Sequence, residues 1–139
     1  MKVFFDSSAL LKILKEEEGY QRVVERLKKV ARGEDAGHTD TIVVAEIVYA
    51  FLSRGLEDEA MRARAYIESI PNLAVVENIP SSVSHRGAEL KHKYFKRSEK
   101  TFFSLYDGIH LAVAERCSDV FVTSDPDFKG VTELKVELV

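Results

Sequence analysis

The chain has 139 residues, of which 45% are hydrophobic and 31% charged, and its formal net charge is −3. This length suits one domain with a real core and is too short for two ordinary ones, so residues 1–139 are expected to form a single domain. The composition excludes a disordered polar chain and a fibrous repeat. The longest uninterrupted apolar run, residues 47–52, is far shorter than the ~20 residues that cross a bilayer.

Short apolar runs alternate with helical patterns along the whole chain. In chain order the sequence predicts a strand at 3–5, a helix after residues 6–8, helices at 20–30, 42–54 and 57–69, a strand at 73–76, a helix from 80 toward 94, a loop at 97–104, a helix at 106–117, a strand at 120–123, a turn at 124–127 and a last strand at 134–139. Thr39, Asp40 and Thr41 can cap the helix at 42–54. Its β-branched start leaves a strand open there, and its length favours a helix.

Strands separated by helices require crossover connections, which predict an α/β fold with a mostly parallel sheet covered on both faces. In such a sheet, ligands bind beyond the carboxyl ends of the strands. Asp6 and Asp125 both come directly after predicted strands. Taken alone, each can equally cap a helix or start a turn.

Two further acids stand in apolar helices. Glu46 is the only charged residue between Thr41 and Ser53. Because burying an unpaired carboxylate is costly, Glu46 must meet a cation, be protonated or face a polar cleft. A salt bridge to an arginine is the structural alternative. Asp107 begins another apolar helix, where the helix dipole favours an acid whether or not it has a function.

Convergence of these four acids would require a cation. Like charges about 4 Å apart repel by roughly 4 kcal/mol at an effective dielectric constant near 20. A divalent ion removes this conflict, and ligands that are all oxygen select hard cations such as Mg²⁺ or Mn²⁺. Such an ion can activate water and neutralise charge on a phosphodiester.

Residues 85–100 form a basic stretch, with six Lys and Arg against two Glu, on a chain that is otherwise acidic. This stretch could hold phosphates, and the nearby aromatic residues Tyr94, Phe95, Phe102 and Phe103 could stack bases. A solvated helix face with core aromatics is the alternative that we favour.

The cellular compartment is indicated by the N-terminus and the cysteine content. Asp6 follows only three apolar residues, so the start lacks the longer apolar stretch of a signal peptide. Cys117 is the only cysteine, which excludes an internal disulfide and leaves a thiolate zinc site without ligands. We expect a cytoplasmic protein with no membrane partner.

Four segments together resemble the PIN-domain family, and in particular the VapC-type toxin ribonucleases of toxin–antitoxin pairs. They are VFFDSSAL at 3–10, VVAE at 43–46, YDGIHLAVA at 106–114 and VTSDPDF at 122–128. The intervals of 40 residues from Asp6 to Glu46 and 18 from Asp107 to Asp125 are typical of the family. No single segment is specific, but the ordered set spans essentially the whole chain.

This resemblance implies a three-layer α/β/α sandwich, a metal-dependent endoribonuclease, frequent homodimerisation and often a small antitoxin protein. The positions that match the four family acids, as catalytic residues and Mg²⁺ or Mn²⁺ ligands, are Asp6, Glu46, Asp107 and Asp125. The supporting positions are the hydroxyl residues Ser7 and Thr123 and the further acid Asp127. In the resulting hypothesis three aspartates hold the metal, and Glu46 ligates it or orients the attacking hydroxide, so that RNA is cut to a 5′-phosphate and a 3′-hydroxyl.

Three other functions remain open. A phosphoacceptor signalling domain also has acids at strand ends, but it needs an adjacent acidic pair, and Phe4 and Phe5 precede Asp6. A catalytically silent PIN-like module could bind RNA or a protein, and a PIN nuclease could process RNA without being a toxin. His110 lies one helical turn after Asp107 and receives no role, because a lone histidine on a helix is more often structural.

Overall fold

The central element is a parallel sheet of five strands in the order β3-β2-β1-β4-β5, found in a computed structural model that describes residues 1–95 and 102–139. The strands are β1 (Lys2–Phe5), β2 (Ala36–Asp40), β3 (Leu73–Val76), β4 (Val120–Thr123) and β5 (Lys135–Leu138). The helices in the described residues are α1 (Ser7–Leu14), α2 (Tyr20–Ala31), α3 (Thr41–Leu52), α4 (Glu57–Ser69), α5 (Ser81–Tyr94) and α6 (Leu105–Cys117), with a short 3₁₀ helix at Pro126–Gly130. The predicted α/β/α fold with a parallel sheet is confirmed.

The strand β2 is absent from the sequence predictions, which treat its last residues only as a helix cap. Its sequence, AGHTD, has no apolar run, so neither periodicity nor propensity predicts a strand. The strand is stabilised by pairing on both sides rather than by intrinsic propensity, because Gly37 is aligned with Val3 of β1 on one side and with Leu73 of β3 on the other. The predicted cap is also present, since Asp40 accepts a hydrogen bond from the Val43 backbone N–H.

The helix predicted at 42–54, rather than the alternative strand, is observed as α3, which spans Thr41–Leu52. Of the predicted loop at 97–104, residues 97–101 lie outside the described residues, and 102–104 form neither helix nor strand. None of the helices in the described part of the chain is both long and apolar enough to cross a membrane.

Aromatic packing on one face of the sheet covers the strands that carry the candidate site. Phe4 of β1 and Phe121 of β4 are aligned in register and stack with ring centroids 5.3 Å apart. Phe128 stacks on Phe121 at 4.7 Å, and Phe103 packs against Phe128 at 5.0 Å. All four rings are fully buried. The centre of the sheet is therefore rigidly packed beneath α6, whose His110 ring lies 6.4 Å from that of Phe4.

Helices α5 and α6 pack in backbone contact where two glycines meet. A Cβ atom at Gly108 would lie 2.2 Å from the Gly87 carbonyl oxygen, and one at Gly87 would lie 2.9 Å from the Ile109 backbone. The absence of side chains at both positions allows this approach. This contact packs the start of α6, which contains Asp107, closely against α5.

Gly108→Ala should destabilise the protein by about 1–3 kcal/mol, because the new methyl group forces α5 and α6 apart. This cost outweighs the ~1 kcal/mol that alanine normally gains over glycine in a helix. Urea unfolding followed by circular dichroism measures the difference. Gly130→Ala is the matched control, since its Cβ would meet nothing within 4 Å and its stability should be unchanged. Equal stability of the two variants would contradict the close helix contact.

Candidate active site

The crevice where ligands are expected lies at the carboxyl ends of β1 and β4. From β1 the chain builds β2 and β3 on one side of the sheet and then returns to build β4 and β5 on the other. This reversal separates the two connections beyond the strand ends and leaves an opening there. Asp6 follows β1 directly, and Asp125 follows β4 after one intervening residue.

Asp6 is the most buried of the predicted acids, with 3% of its surface exposed. Its Oδ2 atom accepts hydrogen bonds from the hydroxyls of Ser8 and Thr123, both at 2.8 Å. Its Oδ1 atom is buried and has no hydrogen-bond partner within the described residues. Because buried carboxylate oxygens are normally satisfied, this atom points to a missing ligand.

Thr123 connects Asp6 to Asp125, because its hydroxyl also accepts a hydrogen bond from the Asp125 backbone N–H at 3.0 Å. Asp125 in turn accepts from the Asp127 backbone N–H at 2.8 Å and so caps the short 3₁₀ helix. Asp127 accepts from the Phe102 backbone N–H at 2.9 Å, which anchors the chain just before α6. The supporting positions Thr123 and Asp127 thus lie beside the acids.

The hydroxyl that contacts Asp6 on α1 belongs to Ser8 rather than to Ser7, the position suggested by the family resemblance. The Ser8 Oγ atom also lies 2.9 Å from the Thr123 hydroxyl and accepts from the Ser124 backbone N–H at 2.9 Å. Ser7 lines an apolar groove beside Glu46 that also contains Tyr49 and Tyr106. The two serines therefore have different surroundings.

Asp107 forms a reciprocal cap at the start of α6. Its Oδ2 atom accepts from the Ser104 backbone N–H at 2.6 Å, and the Ser104 hydroxyl accepts from the Asp107 N–H at 3.0 Å. Asp107 is therefore a helix cap, as one interpretation of the sequence predicted. The cap alone does not explain the electrostatic environment of this carboxylate. Burial raises the pKa of Asp107, hydrogen bonds with Ser104 oppose the rise, and the charges of Asp6 and Asp125 add to it.

The pKa of Asp125 is also raised by burial and by nearby negative charges. Burial raises its pKa, the hydrogen bond from the Asp127 backbone opposes this, and the charges of Asp127 and Asp6 raise it further. The charge of Asp6 therefore raises the pKa of both Asp107 and Asp125, so these two acids lie near Asp6.

Of the three outcomes that the sequence allows for Glu46, contact with a basic side chain is observed, and that side chain is His110 rather than an arginine. The His110 Nε2 atom lies 2.6 Å from Glu46 Oε1, and its Nδ1 atom lies 2.8 Å from Asp40 Oδ2. Burial alone would lower the pKa of His110, but the hydrogen bonds with Asp40 and Glu46, with the charges of Asp40 and Asp6, raise it to about 10.

Sequence analysis misses the roles of both His110 and Asp40 in this arrangement. One available indication is that His110 lies within a run of otherwise apolar residues on α6, where a polar side chain must find partners. Asp40 is harder to find, since its cap is a sufficient explanation of an Asp at that position.

The residues present fit a hard divalent cation. One ligand atom from each of Asp6, Glu46 and His110 lies within 4.8 Å of the others, and within the described residues Asp107 and Asp125 are not part of this tightest group. Two observations agree with this fit: within the described residues the Asp6 Oδ1 atom has no hydrogen-bond partner, and the charges of Asp6 and Asp125 raise the pKa of Asp107.

The described part of the basic stretch is engaged mostly within the protein. Arg86 pairs with Glu115 at 3.0 Å, and Lys93 pairs with Glu133 at 2.6 Å. Lys96, Arg97 and Lys100 lie outside the described residues. Of the candidate stacking residues, Phe103 is fully buried and Phe102 is 82% exposed, so the core interpretation applies to Phe103.

Comparison with known proteins gives the family. The family model of the PIN domain matches residues 3–134, and the chain belongs to this family. No curated protein sequence matches it significantly.

Solved structures of VapBC and VapC proteins share the fold. VapBC2 from Rickettsia felis, bound to a fragment of promoter DNA, has a TM-score of 0.74 at 15% identity, covering 99% of this chain and 98% of that one. VapC20 from Mycobacterium tuberculosis, a toxin that cleaves the Sarcin-Ricin loop, has a TM-score of 0.68 at 18% identity, covering 95% and 98%. VapBC-1 from nontypeable Haemophilus influenzae has a TM-score of 0.69 at 14% identity, covering 99% and 98%.

Asp107→Asn should stabilise the metal-free protein at neutral pH. The pKa of Asp107 is raised from its ordinary value of 3.8 by folding, so its stabilising contribution is complete below that value and is lost as pH rises through the folded pKa. An amide cannot ionise, and its oxygen can still accept from Ser104. Urea unfolding in EDTA should show an advantage at pH 7 that shrinks toward pH 4.

The matched control is Asp119→Asn at the opposite end of the sheet, where the carboxylate accepts from the Lys2 backbone N–H. It should show no comparable gain at pH 7. An Asp107→Asn advantage that is the same at both pH values would argue against electrostatic repulsion in the cluster.

Proposed function

We propose that this protein is a metal-dependent endoribonuclease of the VapC type, the toxin of a toxin–antitoxin pair. The observation that carries the proposal is the buried Asp6 carboxylate, with a partnerless oxygen, in the crevice of a PIN fold among further acids. The fold likeness to VapBC assemblies and to a toxin that cleaves the Sarcin-Ricin loop supports this choice of function.

Mg²⁺ or Mn²⁺ is the proposed cofactor, with Asp6, Glu46, Asp107 and Asp125 as the residues that hold it directly or through water. When bound, the ion supplies positive charge that activates water and stabilises the negative charge of the phosphodiester in transit. Oxygen ligands and the absence of a thiolate set favour these hard cations.

The protein's own residues would position the reactants. The hydroxyls of Ser8 and Thr123 fix Asp6, and the reciprocal cap with Ser104 fixes Asp107. Glu46 orients the attacking water and accepts its proton. The water oxygen bonds to phosphorus as the bond to the 3′-oxygen breaks, and the 3′-oxygen takes a proton from solvent water. One product then carries a 5′-phosphate and the other a 3′-hydroxyl.

The proposed partners are RNA as substrate, a second copy of the chain and a small antitoxin protein. Two of the fold relatives are VapBC assemblies crystallised with DNA, and another is described as a toxin–antitoxin complex. Large exposed apolar side chains on α3 and at the start of α6, namely Tyr49, Leu52, Leu105 and Tyr106, suit a protein interface.

Calorimetric titration should detect Mn²⁺ binding to the protein, and Asp6→Asn should weaken it at least tenfold, because the variant removes a buried charge from the cluster. RNA cleavage should be lost in the same variant. Asp119→Asn should bind Mn²⁺ and cleave RNA as the unaltered protein does. A catalytically silent module would show no such dependence on Asp6.

The cleavage products should carry a 5′-phosphate and a 3′-hydroxyl, which end-labelling and mass spectrometry identify. A substrate with a single 2′-deoxynucleotide at the cleavage position should still be cut, because water and not the 2′-hydroxyl is the nucleophile. A 2′,3′-cyclic phosphate at the product end would overturn this mechanism.

A further inference from the structure

His110 joins two carboxylates on elements that are distant in sequence. It is fully buried on α6, and each ring nitrogen lies within 2.8 Å of an oxygen, Asp40 Oδ2 on one side and Glu46 Oε1 on the other. Each ring nitrogen is therefore engaged by an acid. The Nε2 atom lies among the potential ligand atoms, but its contact is with Glu46.

Asp40 is a fixed anchor for this ring. It is fully buried at the end of β2, a strand paired on both sides. Its Oδ1 atom accepts from the Val43 N–H at 2.8 Å as the cap of α3, and Oδ2 faces His110. Both oxygens are thus committed, so the direction of the His110 ring is determined by the backbone of β2 and α3.

Glu46 is the least constrained of the four acids. Its side chain is 31% exposed, and within the described residues its hydrogen bond is to His110. Holding a glutamate in one rotamer costs side-chain conformational entropy. Without the imidazole, repulsion from Asp6 would favour rotamers that turn the carboxylate away from the cleft.

We propose that His110 is a positioning residue, which through the hydrogen-bond chain Asp40–His110–Glu46 holds one oxygen of Glu46 and thereby directs the other into the reaction centre. The inference rests on the proposed nuclease function for its kinetic consequence. Its structural content, the order of the Glu46 side chain, is independent of that function.

Three variants separate position from charge. His110→Ala breaks the chain. Asp40→Asn keeps it, because the amide oxygen can cap α3 while the amide N–H₂ donates to His110 Nδ1, leaving a neutral imidazole whose Nε2–H still donates to Glu46. The double variant Asp40→Asn with His110→Gln restores a neutral chain, since the glutamine accepts from position 40 and donates to Glu46. His85→Ala, at an exposed site on α5, is the control.

The first measurement uses the metal-free protein. Carbon-13 relaxation should report one ordered Glu46 rotamer in the unaltered chain, in Asp40→Asn and in the double variant, and rotamer averaging in His110→Ala. Nitrogen-15 spectra should show both His110 ring nitrogens protonated in the unaltered protein. If His110→Ala does not fold, Asp40→Ala takes its place, because it removes the carboxylate that anchors the His110 ring. Glu46 should then show rotamer averaging in Asp40→Ala and one ordered rotamer in the unaltered protein and the double variant.

The second measurement is functional. His110→Ala should lower kcat for RNA cleavage by about 10–100-fold and weaken Mn²⁺ binding by a similar factor, as is typical of residues that orient a metal ligand. The KM for RNA should stay within about twofold of its value in the unaltered protein. Asp40→Asn and the double variant should recover most of kcat. A folded His110→Ala protein with an ordered Glu46 and unchanged kcat would overturn the proposal. If the unaltered protein neither binds Mn²⁺ nor cleaves RNA, the nuclease function fails, and Glu46 order still decides the role of His110.

Discussion

The negative charge of the buried Asp6 beside Asp107 and Asp125 is the constraint on which the rest of this site depends. Asp6 and Asp125 follow the two strands that flank the crevice, and Asp107 lies in the first turn of α6 near them. The charge of Asp6 raises the pKa of both neighbours. His110 pairs with Glu46 and Asp40, but in the part of the chain that the structure describes the Asp6 Oδ1 atom has no hydrogen-bond partner. The arrangement is therefore suited to holding a cation.

The fold tolerates this local cost because its surroundings are tightly packed. Stacked aromatic rings lie beneath the crevice, and α5 and α6 meet at glycines in backbone contact. Such packing holds the acids at positions that they would not adopt by themselves. The same packing pre-organises the site, because the acidic side chains need no rearrangement to come together.

Local patterns account for most of the secondary structure and for the acids themselves. The apolar runs of β1 and β4, the periodicity of the helices and the isolation of Glu46 are each readable from neighbouring residues. The strand β2 is not, because AGHTD becomes a strand only when β1 and β3 pair with it. The absence of β2 from the sequence predictions matters for the site, because β2 ends at Asp40, which contacts His110.

By itself the sequence determined the α/β class, because hydrophobic periodicity is a property of neighbouring residues. It also predicted a crevice at the strand ends with four candidate acids, and it left open whether Glu46 meets a cation, is protonated or faces a polar cleft. Only the tertiary structure decided that this partner is His110, that Ser8 contacts Asp6 and that Asp40 anchors the imidazole. These contacts join residues up to 70 positions apart, and no local pattern encodes which of several possible partners the packing brings within hydrogen-bonding distance.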